Sequence, residues 1–143
     1  MDEYNESIMV AMLPTTNDWC KIELPHTTLV YAGEIKDSSV TEFNKMAKEV
    51  SDLAVLSRPL AIDTFGIEVF GNEEKVDVIR LLATPELMAI RNTLVKYDVS
   101  EHPFHPHVTV GPVGSANYPI PTRLFFDRFL IKYGQESMVF NLR

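Results

Sequence analysis

Apolar positions along this chain change their spacing several times, and each change marks an element. Ser7-Ile8-Met9-Val10-Ala11-Met12-Leu13 is a short, nearly unbroken apolar run ending at Pro14, the pattern of a buried strand. Pro25 introduces a second strand-like run, His26 to Ala32, which stops at Gly33. Val40, Phe43, Met46, Ala47, Val50, Leu53 and Ala54 then recur at steps of three and four, the period of a helix face. Ser39 with Glu42 three residues on is a capping-box signal, so the spacing predicts a helix from about Ser39 to Leu56.

Beyond it, Leu60, Ile62, Ile67 and Val69 alternate with an interruption at Gly66, which predicts a strand with a bend or bulge. Gly71-Asn72-Glu73-Glu74 is a turn, and the alternation from Val76 to Leu81 predicts a partner strand. Thr84-Pro85 is a helix opening, and Leu87, Ile90, Leu94 and Tyr97 supply an apolar stripe, giving a second helix from about Pro85 to Tyr97. A loop with Pro103 and Pro106 leads into a strand from His107 to Val113, and Gly114 to Pro121 is a further connection. Arg123 to Tyr133 and Glu136 to Leu142 read as a closing hairpin around Gly134-Gln135. Strands interleaved with two helices predict an α+β fold with a mainly antiparallel sheet.

Composition narrows the class without changing this outline. With 143 residues, 45% hydrophobic and 23% charged, residues 1–143 are expected to form one globular domain. Met1 to Glu6 is polar and acidic rather than basic-then-apolar, and no segment reaches bilayer-spanning length, so neither secretion nor membrane insertion is expected. A single cysteine, Cys20, makes no internal disulfide and fits a reducing, cytoplasmic setting, where it reads as a small buried hydrophobe. Thirteen basic residues against twenty acidic ones leave a net charge of -7. Grip on a long nucleic acid needs many phosphate contacts, so that partner is disfavoured, whereas a small phosphate ligand needs only a local cluster of donors.

The candidate chemistry lies in two segments that rhyme: Pro25-His26-Thr27-Thr28-Leu29 and Pro106-His107-Val108-Thr109-Val110. Side chains alternate along an extended chain, so His26 shares a face with Thr28, and His107 with Thr109. Brought together, the segments would oppose two imidazoles flanked by two hydroxyls. Phosphodiester cleavage needs a base for the attacking hydroxyl and an acid for the departing oxygen, and histidine, with a reference pKa of about 6.5, performs both roles near neutrality. Threonine hydroxyls donate to the non-bridging oxygens as charge builds on them.

With the opening apolar strand, and with Gly33 and Gly111 following the motif strands, the doubled Pro-His-x-Thr-aliphatic pattern resembles the 2H phosphoesterase superfamily. The likeness spans nearly the whole chain in element order. It implies two pseudo-repeated lobes whose mainly antiparallel sheets form a central cleft with helices outside. It also implies catalysis without metal or cofactor, and His26, Thr28, His107 and Thr109 as the functional set. The activity so implied is a phosphodiesterase acting on a small cyclic nucleotide, a cyclic oligonucleotide or a short RNA end, including enzymes that degrade cyclic-nucleotide immune signals. A 2′-5′ RNA ligase-like or RNA-processing activity and a non-catalytic nucleotide-binding module are the alternatives.

Other residues enter as binding candidates. Trp19 and Phe104 precede the motif strands and could stack on a base, since stacking is worth ~1–3 kcal/mol per base. Tyr31 falls on the face opposite His26 and Thr28 by simple alternation, which assigns it to packing. Arg80, a cation in an otherwise apolar strand, is a candidate phosphate contact. His102, His105 and His107 form His-x-x-His-x-His, but zinc needs three or four convergent ligands, and His102 and His105 read better as loop residues at a cleft rim.

Overall fold

The structure is a computed structural model and describes residues 6–17, 19, 20, 22, 24–116 and 120–143. The acidic stretch before Glu6 and the middle of the Gly114 to Pro121 connection lie outside the described residues. The elements follow in the order β1 (Ser7–Pro14), β2 (Thr27–Glu34), α1 (Val40–Leu56), β3 (Leu60–Phe70), β4 (Val76–Leu81), α2 (Pro85–Leu94), β5 (His107–Pro112), β6 (Arg123–Tyr133) and β7 (Glu136–Asn141). The α+β class and antiparallel pairing expected from the sequence are those observed.

Both helices start where their caps place them. The Ser39 hydroxyl accepts from the Glu42 backbone N–H at 3.1 Å, and the Thr84 hydroxyl accepts from that of Leu87 at 3.2 Å with Pro85 in the first turn. α1 buries Met46, Val50 and Ala54, one stripe at four-residue steps, and lies over β6 and β7. The second helix ends earlier than its stripe predicts: Val95–Tyr97 tighten into a 3-10 turn.

The two sheets expected from the family resemblance are joined into one seven-stranded sheet of order β2-β1-β6-β3-β4-β5, with β7 also paired to β6. β3 makes the join. Its first residues, Leu60 to Asp63, pair with Leu124–Phe126 and Arg123 of β6, and after a register shift between Thr64 and Ile67 the remainder pairs with β4. Gly66, at φ 123, occupies that shift and lets the strand turn from one half-sheet into the other. β6 serves β1 along one edge, while its other edge is divided between β3 and β7.

The outermost strands, β2 and β5, nevertheless contact each other, so the sheet curls until its ends meet. One face of each half-sheet carries the main core, including Val10, Met12, Phe129 and Ile131 of the first half and Ile79, Val108 and Val110 of the second. Ala11, Leu13, Leu130 and Val78 are buried too but stand outside that cluster, on the opposite, inward face. Ala11 pairs with Thr28 and Val78 with Thr109, so this is the face that the two threonines share. No helix among the described residues is long and apolar enough to cross a membrane.

Candidate active site

β2 and β5 deliver the two His-x-Thr segments to the seam where the sheet ends meet. The local geometry of the two is the same. His26 precedes β2, and its Nδ1–H donates to the Leu24 carbonyl at 3.0 Å; His107 opens β5, and its Nδ1–H donates to the His105 carbonyl at 2.7 Å. A carbonyl oxygen only accepts, so each contact assigns the proton of the neutral ring to Nδ1 and leaves Nε2 with a lone pair for chemistry. The prolines at 25 and 106 favour the extended backbone at Leu24 and His105 that puts those carbonyls within reach.

The strands also share a bulge. Ala11 pairs with Thr28 while Val10 pairs with Val30, which leaves Leu29 as the extra residue; Val78 pairs with Thr109 while Asp77 pairs with Gly111, which leaves Val110 extra. In each strand the irregularity follows immediately after the threonine. A bulge resets which face the chain presents, and here it corrects the alternation argument for Tyr31. Tyr31 pairs with Met9 and Thr28 with Ala11, two residues apart on β1, so Tyr31 stands on the Thr28 face rather than opposite it.

Thr28 and Thr109 are half-buried. The Thr28 hydroxyl points at the Met9 sulfur at 3.8 Å, a weak acceptor that a phosphoryl oxygen readily replaces. Both histidines are half-buried, and both have pKa values below the ordinary histidine value of 6.5. Burial is the main cause in each case, opposed by the carbonyl contact. The charge of Lys132 lowers His26 further, while His107 feels His26, Arg80 and His105. The two imidazoles are thus close enough for charge on one to oppose charge on the other.

Of the binding candidates, Arg80 is beside the histidines and two are not. Arg80 pairs with His107 across β4 and β5 and stands on the inward face. Trp19 is only 9% exposed and belongs to the core cluster, so no face of its indole is open for stacking, contrary to the expectation for it. Phe104 is half-buried and its ring is covered by the Arg91 guanidinium at 4.7 Å, which makes it a packing partner of α2. His102 and His105 are exposed loop residues, and among the described residues no group of three or more His, Cys, Asp or Glu is placed to hold a metal ion. Cys20 is half-buried, its thiol pKa raised by burial, and its sulfur lies 3.9 Å from the Thr109 carbonyl.

Sequence reasoning offered Phe70 only as a candidate stacking surface for a base, and missed two further neighbours, Glu68 and Lys132. Phe70 sets its ring edge-on to His107, with centroids 4.7 Å apart. Glu68 pairs with Arg80 at 2.8 Å, and Lys132, the register partner of Met9, brings a cation to the His26 side. The alternation of β3 and β6 contained the signal for their faces, but which strands they flank depends on pairings between distant segments. A separate cavity of about 550 Å³ lies beneath the start of α1, lined in part by Phe43, Met46 and Tyr97, and contains neither histidine.

In sequence, neither a family model nor a curated relative matches the chain. In structure the likenesses are extensive. Usb1 of Kluyveromyces marxianus superposes with a TM-score of 0.68 at 9% identity, over 96% of this chain and 99% of that one. Escherichia coli LigT complexed with 3′-AMP gives a TM-score of 0.56 at 15% identity, over 96% of this chain and 95% of LigT. The Thermus thermophilus protein TT0787 gives 0.58 at 15% identity, over 96% and 98%. This chain therefore has the fold of LigT and Usb1, that of the 2H phosphoesterases.

Proposed function

We propose that the protein is a 2H phosphoesterase, a cytoplasmic phosphodiesterase that uses His26 and His107 as general base and general acid on a small nucleotide and needs no metal. The observation that carries the reading is the doubled histidine geometry. Each ring spends its Nδ1–H on the carbonyl two residues upstream, and the two rings sense each other's charge across one seam. One neutral Nε2 takes the proton of the attacking hydroxyl as the new P–O bond forms. The other ring, protonated, gives its Nε2 proton to the leaving oxygen as the old P–O bond breaks, and the pair ends with its two protonation states exchanged. Thr28 and Thr109 donate to the non-bridging oxygens, and Arg80 supplies positive charge beside His107.

Nucleotides held by proteins of the same fold support this substrate class: LigT has been crystallised with 3′-AMP, NADP+ and ATP, and Usb1 with uridine monophosphate. The net charge of -7 favours a compact ligand over a long RNA track. The test is incubation of the purified protein with 2′,3′-cyclic mononucleotides, cyclic dinucleotides of the immune-signal type, and short 2′-5′ and 3′-5′ linked oligonucleotides, with and without EDTA, products being identified by mass. Cleavage of at least one phosphodiester, undiminished by chelation, is the expected result. Recovery of every substrate unchanged, with tight retention of one of them, would replace the enzyme by a nucleotide-binding module; loss of activity with EDTA would overturn the metal-free mechanism.

A further inference from the structure

The two histidine strands match closely, yet their surroundings differ. On the His107 side, the Arg80 guanidinium lies over two aromatic rings, 5.0 Å from the Phe65 centroid and 5.8 Å from that of Phe70, the ring that touches His107. Its Nη1 donates to Glu68 Oε1 at 2.8 Å, and its Nε is buried without a partner. Glu68 pairs with Val78, which in turn pairs with Thr109, so the carboxylate rises from the same inward face as the threonine hydroxyl. The arginine side chain is 16% exposed and the glutamate side chain 49%. The cation is therefore held down by rings while the anion meets solvent, which reverses the usual arrangement of a phosphate subsite.

We propose that the Arg80–Glu68 pair selects the charge of the phosphate that docks beside His107, admitting a singly charged phosphodiester and turning away a doubly charged phosphate monoester. The inference rests on the phosphodiesterase reading above and adds to it a discrimination between substrate and product. A diester carries one negative charge; a monoester carries nearly two above its second pKa of about 6. The first charge is matched by the guanidinium of Arg80. The second meets Glu68, which Arg80 has already partly neutralised. Opening of a cyclic phosphodiester by water yields a monoester, so the same carboxylate that tolerates the substrate would expel what the reaction makes of it.

The test uses two ligands that differ by one methyl group and one charge: 2′-O-methyladenosine 3′-monophosphate and its phosphate O-methyl ester, in which the blocked 2′-oxygen prevents internal attack. Affinities are measured by calorimetry at pH 7.5 for the natural protein, Glu68→Gln, and Glu73→Gln, which removes an equal charge from the exposed β3–β4 turn. The natural protein is expected to prefer the ester, and Glu68→Gln to reduce that preference roughly three- to ten-fold by tightening the monoester, a span set by partly screened charge pairs. Glu73→Gln is expected to leave it unchanged. An unchanged preference in Glu68→Gln, an equal effect from Glu73→Gln, or no binding of either ligand would overturn the proposal. A shifted preference in a protein that cleaves nothing would instead defeat the phosphodiesterase reading and leave the charge selection standing.

Discussion

At the scale of single residues, the proposed chemistry depends on two imidazoles whose neutral form is favoured by burial. Replacing His26 or His107 with alanine is expected to lower kcat by ~10²–10⁴-fold, the range typical of a lost proton-transfer partner. Both side chains stand at the seam rather than in the core cluster, so circular dichroism should show an intact fold. Normal turnover in both variants would remove the mechanism. The pH profile follows from the same groups. Both pKa values lie below 6.5, and charge on His26 opposes charge on His107, so the pair loses its protons in two steps. Only the singly protonated pair holds one acid and one base. Its population rises as the pH climbs through the lower step and falls as the upper proton leaves. The bell in kcat/KM is therefore expected to peak on the acid side of 6.5 and to decline toward pH 8; a maximum at or above pH 8 would contradict the protonation states assigned here. The sequence shows both His-x-Thr pairs plainly, because their order along the chain is the signal. It does not show Phe70 against His107 or Glu68 against Arg80, since those contacts arise only when β3 turns at Gly66 and pairs with β4.

At the scale of elements, local rules carried the outline, and a bulge set the detail. Ser39, Thr84 and Pro85 mark helix starts by satisfying or sparing backbone N–H groups, a physics contained in three or four consecutive residues. The extra residues Leu29 and Val110 have no such local mark: each is an ordinary aliphatic in a strand, and the two-against-one pairing is visible only beside β1 and β4. That is why alternation misplaced Tyr31. In β5 the backbone records the bulge at Gly111, whose φ of 144 is a conformation that side chains rarely adopt. Gly111→Ala is expected to destabilise the protein by ~1–3 kcal/mol, the cost of holding a non-glycine residue in a sparsely populated conformation. Because relief of that strain would pull on Thr109 two residues upstream, turnover should fall as well. Chemical denaturation and kinetics on the one variant check both parts, and unchanged stability would show that the bulge accommodates a side chain.

At the scale of the whole molecule, the site exists only because the ends of one sheet are held near each other. The order β2-β1-β6-β3-β4-β5 rests on pairings such as β1 with β6, whose segments stand at opposite ends of the chain, and nothing in hydrophobic periodicity encodes them. Asp98 is one of the fasteners. Its Oδ2 accepts from Arg91 Nη2 at 3.1 Å, its Oδ1 accepts from the Tyr31 backbone N–H at 3.0 Å, and the next residue, Val99, donates its N–H to the Tyr31 carbonyl at 2.9 Å. One carboxylate thus ties α2, and the start of the loop that leads to β5, to the outer edge of β2. Both side chains of the ion pair are 10% exposed, and Arg91 Nε and Nη1 are buried without partners. Removing the carboxylate strands a buried cation, which typically costs ~3–5 kcal/mol, whereas replacing both ions by apolar or neutral groups of similar size is often close to neutral. Asp98→Ala is therefore expected to lower unfolding free energy by about that amount and to reduce activity through a loosened β2, and Arg91→Met combined with Asp98→Asn, which keeps an acceptor for Tyr31, should recover most of the loss. A denaturation series on the natural protein, the single variant and the double variant measures it. If Asp98→Ala costs less than about 1 kcal/mol, or the double variant is no better than the single, the carboxylate is not what fastens α2 to β2.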